Sequence, residues 1–234
     1  IGGRLTHSRC HPGGPCGHSA SRETGPESRI NPGNINMNMD SHFQAYETLL
    51  RKWQKTINLV SPKTLDQVQS RHIADSRQLL PYLPDSPVSL YDLGSGAGFP
   101  GMVIGICRRD CTVHLIESDT RKTQFLSALR RELGLKNIVV KNDRVEKLAL
   151  ALPPPDFITA RALGAIDTIF DLTRPWAESK PDLRYILPKG RSVQTEITQA
   201  QKTYSFDYHS APSCTDPDAT ILRIDNVRPK ICVT

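Results

Sequence analysis

Residues 91–101 read YDLGSGAGFPG, between an apolar run at 88–93 and a second at 102–107. The first run has the length and content of a buried strand, and the second reads as the opening turns of a helix. A strand that ends in glycines and turns directly into a helix makes a site for a nucleotide-type ligand. Glycine lets the backbone pass close to the ligand, and the helix start offers N–H groups with no partner of their own.

The rest of the chain extends this unit into a layered α/β fold. Phe43, Tyr46, Leu49, Leu50, Trp53 and Ile57 form one helical stripe from Ser41 onward, broken at Ser61-Pro62. Thr64-Leu65-Asp66-Gln67 has capping-box spacing and predicts a second helix through Val68, His72, Ile73, Leu79 and Leu80, stopped by Pro81. Strands are then expected at 88–93, 112–117, 137–141, 156–160 and 183–188. Helices are expected between them near 99–108, 120–133, 144–151 and 165–177. This alternation implies a parallel sheet covered by helices on both faces. A helix near 192–201 precedes strand-like runs at 203–209 and 219–226, which suit an antiparallel pair at the sheet edge.

Residues 1–38 hold seven of the fifteen glycines, four prolines and three of the seven histidines, with no apolar periodicity. Such a composition buries too little surface to offset the entropy of ordering, so a disordered leader is expected there. Met37 and Met39 are candidate natural starts, with 39–234 as one domain that includes helices over 41–83. Cys10-His11 and Cys16-x-His18 resemble zinc ligands only superficially, and no metal site is expected. Cys107 and Cys111 flank a helix-to-strand turn as small apolar residues. No apolar run approaches the ~20 residues of a membrane span. Reduced thiols in a cytoplasmic protein are the expectation. The net charge of +6 fits a polyanionic partner.

The turn matches G-x-G-x-x-G from Gly96 to Gly101, which alone would suggest NAD. Gly94 and Asp92 extend it to D-x-G-x-G-x-G, which resembles the first motif of S-adenosylmethionine-dependent methyltransferases. Glu117, about 20 residues beyond the turn, ends the second strand where a carboxylate accepts ribose hydroxyls of either ligand.

Further segments resemble one family in order: LRKWQKTINLVS from Leu50, RHIADS from Arg71, DLGSGAGFPG, HLIESDTRKTQFL from His114, Arg144-Val145-Glu146, Ala160-Arg161-Ala162 and Pro188-Lys189-Gly190. The chain is similar over about 46–190 to the RsmG (GidB) family of bacterial 16S rRNA guanine-N7 methyltransferases. Arg77 and Lys180-Pro181-Asp182 depart from the family pattern. The resemblance implies a Rossmann-like class I S-adenosylmethionine-dependent methyltransferase. Its sheet would be seven-stranded and mostly parallel with an antiparallel edge, preceded by a small N-terminal helical layer. The partner implied is 16S rRNA or a small ribosomal subunit particle, acted on by a monomer.

The cofactor contacts this implies are Gly94 and Phe99 in the turn, Val145 and Glu146 after the third strand, and Arg161 after the fourth. Asp92, Gly96, Gly98 and Glu117 join them from the motif itself. Phe99 also reads as an ordinary helix–sheet contact. Guanine N7 is nucleophilic in the neutral base, which fits the absence of any legible nucleophile–base constellation. Arg161 and Lys189, after strands at the carboxyl edge, are the candidates to position the cofactor carboxylate, the base or a phosphate, against solvated loop cations as the alternative. Arg71, His72 and Asp75 are expected beside the site. Loose cation groups around Arg121-Lys122, Arg130-Arg131, Arg144 and Arg184–Arg191 suit an RNA backbone. An NAD-dependent oxidoreductase and a non-catalytic RNA-binding module remain the competing readings.

Overall fold

The computed structural model describes residues 37–230. The expected leader, its Cys-His groups and its start-site question lie outside these residues, apart from the last two positions. Those already belong to helix α1, Met37–Gln54, which starts earlier than the apolar stripe alone indicates.

Seven strands form one sheet in the order β3-β2-β1-β4-β5-β7-β6. They are β1 Ser89–Leu93, β2 Thr112–Glu117, β3 Ile138–Asn142, β4 Phe157–Ala160, β5 Arg184–Lys189, β6 Tyr204–Pro212 and β7 Thr220–Pro229. The first five pair in parallel, and β7 pairs antiparallel to both β5 and β6. The helices between them are α3 Gly101–Cys107, α4 Thr120–Glu132, α5 Val145–Ala151, α6 Ile166–Ser179 and α7 Val193–Thr203. The expected seven-stranded, mostly parallel sheet with an antiparallel edge is therefore present.

Strand periodicity builds a core on each face. Leu90, Val113, Leu115, Ile138, Phe157, Ile186 and Ile221 face the layer that holds α1, α3 and α4. Their neighbours Tyr91, Leu93, Ile116, Ile158, Tyr185, Leu187 and Leu222 face α5, α6 and α7. Asp119 caps α4, its carboxylate accepting from the N–H groups of Arg121 at 2.8 Å and Lys122 at 3.2 Å. Gly134, at φ +59°, closes the same helix.

The N-terminal layer departs from the expected second α-helix. A 3-10 helix spans Pro62–Gln67, a π-helical turn Val68–Ile73, α2 Ala74–Arg77 and a last 3-10 turn Leu80–Tyr82. Thr64 does not cap; its hydroxyl donates to the Ser61 carbonyl at 3.0 Å. Pro62, with no N–H, begins the helical stretch instead. Val68 and Ile73 are both buried and lie five residues apart. An α-helix at 3.6 residues per turn puts such a pair on different faces, whereas a turn closed by i→i+5 bonds stacks them.

Tyr46 fastens this layer to the sheet. It is fully buried, and its hydroxyl donates to the Ala97 carbonyl at 2.5 Å, inside the glycine turn. Tyr46→Phe strands that buried carbonyl, and should lower unfolding stability in urea by about 1–2 kcal/mol with no change in denaturant slope.

Candidate active site

The glycine turn keeps a left-handed backbone at Gly94 (φ +63°) and Gly98 (φ +94°). Space is as restrictive as the dihedral angle. A Cβ at Gly94 would sit 2.8 Å from Leu163 Cδ1, and one at Gly98 would sit 2.8 Å from the Tyr46 hydroxyl. The turn is thus squeezed between the loop after β4 and the N-terminal layer, and only glycine passes.

Two carboxylates hold the turn from behind. Glu117 Oε2 accepts from the Gly96 N–H at 2.9 Å, and Oε1 from the Asp119 N–H at 2.9 Å. Each oxygen keeps a second lone pair for a ligand hydroxyl. Asp92 is fully buried beneath the turn, where Oδ2 accepts from the Gly101 N–H at 3.2 Å and Oδ1 has no partner. Burial pushes its carboxyl up to about 7, against the opposing pull of that N–H and of the Arg161 charge.

A cavity of about 290 Å³ opens over this turn at the carboxyl ends of β1, β2 and β3. Gly94, Glu117, Val145 and Glu146 line it, as the sequence implied. Ala162, Leu163 and Leu172 supply an apolar wall, and Lys122 and Arg144 a basic rim. The apolar wall escaped the sequence reading because such residues carry no chemical signal. Ala162 and Leu163 had one trace, their position directly after Arg161. Asp92, Gly96, Gly98 and Phe99 do not line this cavity. Asp92 and Gly98 are buried against α3, and the Gly96 amide is turned to Glu117.

Phe99 belongs to a stack instead. Its ring lies 5.1 Å from Tyr46 and 5.0 Å from His72, with the Arg161 guanidinium over it at 5.0 Å. Arg161 Nη1 lies 3.2 Å from His72 Nδ1 and 3.4 Å from Asp75 Oδ2. Burial, followed by the Arg161 charge, pulls the His72 imidazole down to about 4, so it is neutral and accepts at Nδ1. Its Nε2 then faces the Thr64 hydroxyl at 2.9 Å as the donor. Asp75 Oδ1 accepts in turn from Gln78 at 2.6 Å and Thr215 at 2.9 Å.

A second cavity of about 300 Å³ adjoins at the ends of β4 and β5, lined by Asp75, Arg161, Lys189 and Glu196 over an apolar floor of Pro188 and Ile221. Ala162, at φ +59°, lines both cavities. Lys189 is well buried there. Its ammonium lies 2.9 Å from Glu196 Oε2 and donates to the Gly164 carbonyl at 2.7 Å. It therefore ties α7 to the loop after β4, rather than standing free. Around it, Arg184 pairs with Asp225 at 3.5 Å and Arg191 with Asp218 at 2.5 Å, so that expected cation group is neutralised. Arg121, Lys122, Lys141 and Arg144 make no ion pair within the described residues. Those residues also contain no cluster able to hold a metal ion, and no helix long and apolar enough to cross a membrane.

A family model described as GidB, rRNA small subunit methyltransferase G, matches residues 39–221. The chain is 42% identical over 186 residues to the ribosomal RNA small subunit methyltransferase G of Rhodospirillum centenum, covering 80% of this chain and 83% of that protein. It is 42% identical over 195 residues to the protein of the same name from Orientia tsutsugamushi strain Ikeda, covering 82% and 94%. Among solved structures it resembles a SAM-dependent methyltransferase from Aquifex aeolicus, with TM-score 0.51 and 14% identity over 76% of this chain and 97% of that one. A ribosomal protein L11 methylase from Lactobacillus delbrueckii subsp. bulgaricus gives TM-score 0.51 and 15% identity over 65% and 76%. At such identities these two likenesses speak for the fold alone.

The buried Asp92 generates a pH prediction. Between its ordinary value of 3.8 and about 7, the folded state keeps a proton that the unfolded chain has released. Stability therefore falls as pH rises through that window and stays lowered above it. Asp92→Asn retains an acceptor for Gly101 and removes the ionisation. Its thermal midpoint should exceed that of the parent at pH 8 and match it at pH 4 in calorimetry.

Proposed function

This chain belongs to the rRNA small subunit methyltransferase G family, and on that premise we propose that it moves a methyl group from S-adenosylmethionine to N7 of a guanosine in 16S rRNA. The observation that carries this reading is the pair of cavities at the carboxyl edge of the sheet that share Ala162 in their linings. Open α/β sheets place ligands at that edge. A reaction between two bound molecules needs two such spaces side by side.

The first cavity fits the methyl donor. The Gly94 backbone gives close approach, Glu117 offers acceptors for ribose hydroxyls, and the first turn of α5 at Val145 and Glu146 presents N–H groups to an adenine edge. Ile116, Leu163 and Leu172 give the base an apolar surface. When bound, S-adenosylmethionine supplies a methyl group activated by the sulfonium charge. Asp92, Gly96 and Gly98 serve this site by shaping the turn, and Phe99 by supporting Arg161.

The second cavity fits the acceptor. Guanine N7 carries its lone pair in the neutral base, so the reaction needs no general base, and none is assembled beside the second cavity among the described residues. What its residues do is hold two ligands in line and exclude water. Arg161 has the right equipment: Nη1 is held by His72 and Asp75, while Nε and Nη2 have no partner among the described residues. Lys189 acts on the same site by fixing Gly164 and Glu196. The cations on the rim of the first cavity, Lys122 and Arg144, suit the phosphates of a strand that crosses its mouth.

Two measurements test the reading. Calorimetric titration should show binding of S-adenosylmethionine and none of NAD. Gly96→Asp, which sets a second carboxylate beside Glu117, should abolish that binding; unchanged affinity refutes the site. Labelled methyl transfer to small-subunit rRNA, mapped to the nucleotide and ring atom, should report N7 of guanosine, and its absence leaves the RNA-binding module as the better account. Replacing Lys122 and Arg144 by Ala should flatten the log–log salt dependence of RNA binding by about 0.7 per cation removed.

A further inference from the structure

The second cavity presents an ordered pair of groups. Arg161 offers free N–H donors, and Asp75 Oδ2 offers an acceptor 3.4 Å from Arg161 Nη1. We infer that Arg161 and Asp75 together read the O6 and N1–H of the target guanine, and that Asp75 is the specificity-determining residue that rejects adenine. This rests on the proposed reaction and goes beyond it in naming the edge of the base that is read.

The order of the two groups carries the argument. Arg161 directly precedes Ala162, which walls both cavities, and its charge reaches Asp92 beneath the glycine turn. Asp75 comes from α2 in the N-terminal layer and, like Arg161, lines the second cavity alone, but its chain neighbours do not line the first. A purine whose N7 faces the first cavity presents its 6-substituent next and position 1 beyond it. In guanine these are an acceptor, O6, and a donor, N1–H, which complement Arg161 and then Asp75. In adenine they are a donor, the 6-amino group, and an acceptor, N1. Both then meet a group of the wrong kind, and inverting the base to correct the pairing turns N7 away from the methyl donor. Reading a base on its Watson–Crick side is how enzymes that act on an unstacked base recognise it.

The pair is built to keep this order. Asp75 Oδ1 is occupied by Gln78 and Thr215, which directs Oδ2 toward Arg161 and the cavity. Asp75 is largely buried, its side chain 15% exposed, as is Arg161 at 23%. Unmatched groups there lose hydrogen bonds with no water to replace them. Pro188 and Ile221 beneath offer an apolar floor for the ring. Glu196 is no rival acceptor, since Oε2 is ion-paired with Lys189 at 2.9 Å and Oε1 accepts from Ser192.

The test uses the intact protein and rRNA carrying one altered base at the mapped nucleotide. Inosine keeps O6, N1–H and N7 and lacks the 2-amino group. 2-Aminopurine keeps N7 and the 2-amino group, lacks O6 and has an acceptor at N1. Methyl transfer to inosine should stay within about threefold of guanosine, whereas transfer to 2-aminopurine should fall by at least roughly 100-fold. Asp75→Asn should keep its affinity for S-adenosylmethionine and lose about 30-fold or more on guanosine. It should also narrow the gap between guanosine and 2-aminopurine, because its amide N–H faces N1; a merely structural role for Asp75 leaves that ratio unmoved. Equal losses on inosine and 2-aminopurine, or an unchanged ratio in a folded Asp75→Asn protein, overturn the assignment while the proposed reaction stands. No transfer to the guanosine RNA itself overturns both.

Discussion

The structure depends on how closely three segments meet at the glycine turn. Leu163 from the loop after β4 presses on Gly94, and the Tyr46 hydroxyl from α1 presses on Gly98. At Gly98 a Cβ would also strike Met102 Cβ at 2.9 Å, and at Gly94 the φ of +63° adds strain to the Leu163 contact. The turn therefore cannot move outward without losing the Tyr46 bond to Ala97, or inward without striking Leu163. This close approach sets where the first cavity opens, because Gly94 and Leu163 both line it. It also joins the N-terminal layer to the sheet edge, since the same Tyr46 stacks on Phe99, which in turn supports Arg161.

Charge is distributed to match. The buried carboxylates are engaged by backbone N–H groups, Glu117 with Gly96 and Asp119, and Asp92 with Gly101. Their work is to shape the turn while leaving lone pairs open. Lys189 and Glu196 neutralise each other under the second cavity. That leaves Arg161 with two nitrogens, Nε and Nη2, that have no partner among the described residues. The stack beneath it is aromatic and neutral, with His72 uncharged, so Asp75 is the one anion set against its charge within the site. A site of this kind binds and aligns through fixed donors and acceptors.

Most of this was legible in the sequence where one local rule governs. The strands and the helices between them follow from apolar period and glycine stops, Gly94 and Glu117 from the glycine motif and the strand end beyond it, and Val145-Glu146 from the resemblance to the family. The segment over 62–77 was not legible in this way. Val68, His72 and Ile73 fit no α-helical face, because the turn that contains them is wider, and Pro62 moves the start away from the apparent capping box. Lys189 reads from sequence as a free cation because its partner, Glu196, is seven residues on and meets it only once α7 folds back. Phe99 reads as a ligand contact by its place in the motif. Its actual neighbours, Tyr46 and His72, come from elements far away in the chain.

The N-terminal layer is therefore built into the candidate site. Without Tyr46, His72 and Asp75, the β4 end would carry an arginine on a loop with nothing to fix its plane. A long guanidinium side chain loses much rotamer freedom when it is pinned, and a bound ligand would have to supply that cost at every encounter. Stacking over Phe99, one imidazole acceptor and one carboxylate fix the plane before any ligand arrives. The wide turn over Val68–Ile73 serves the same end. By stacking Val68 and Ile73 on the core, it anchors the segment that carries His72 and leads into Asp75, while both side chains reach Arg161. The irregular helix, which looks like a defect in the pattern, is what lets one short segment fill a core and build a binding site at once.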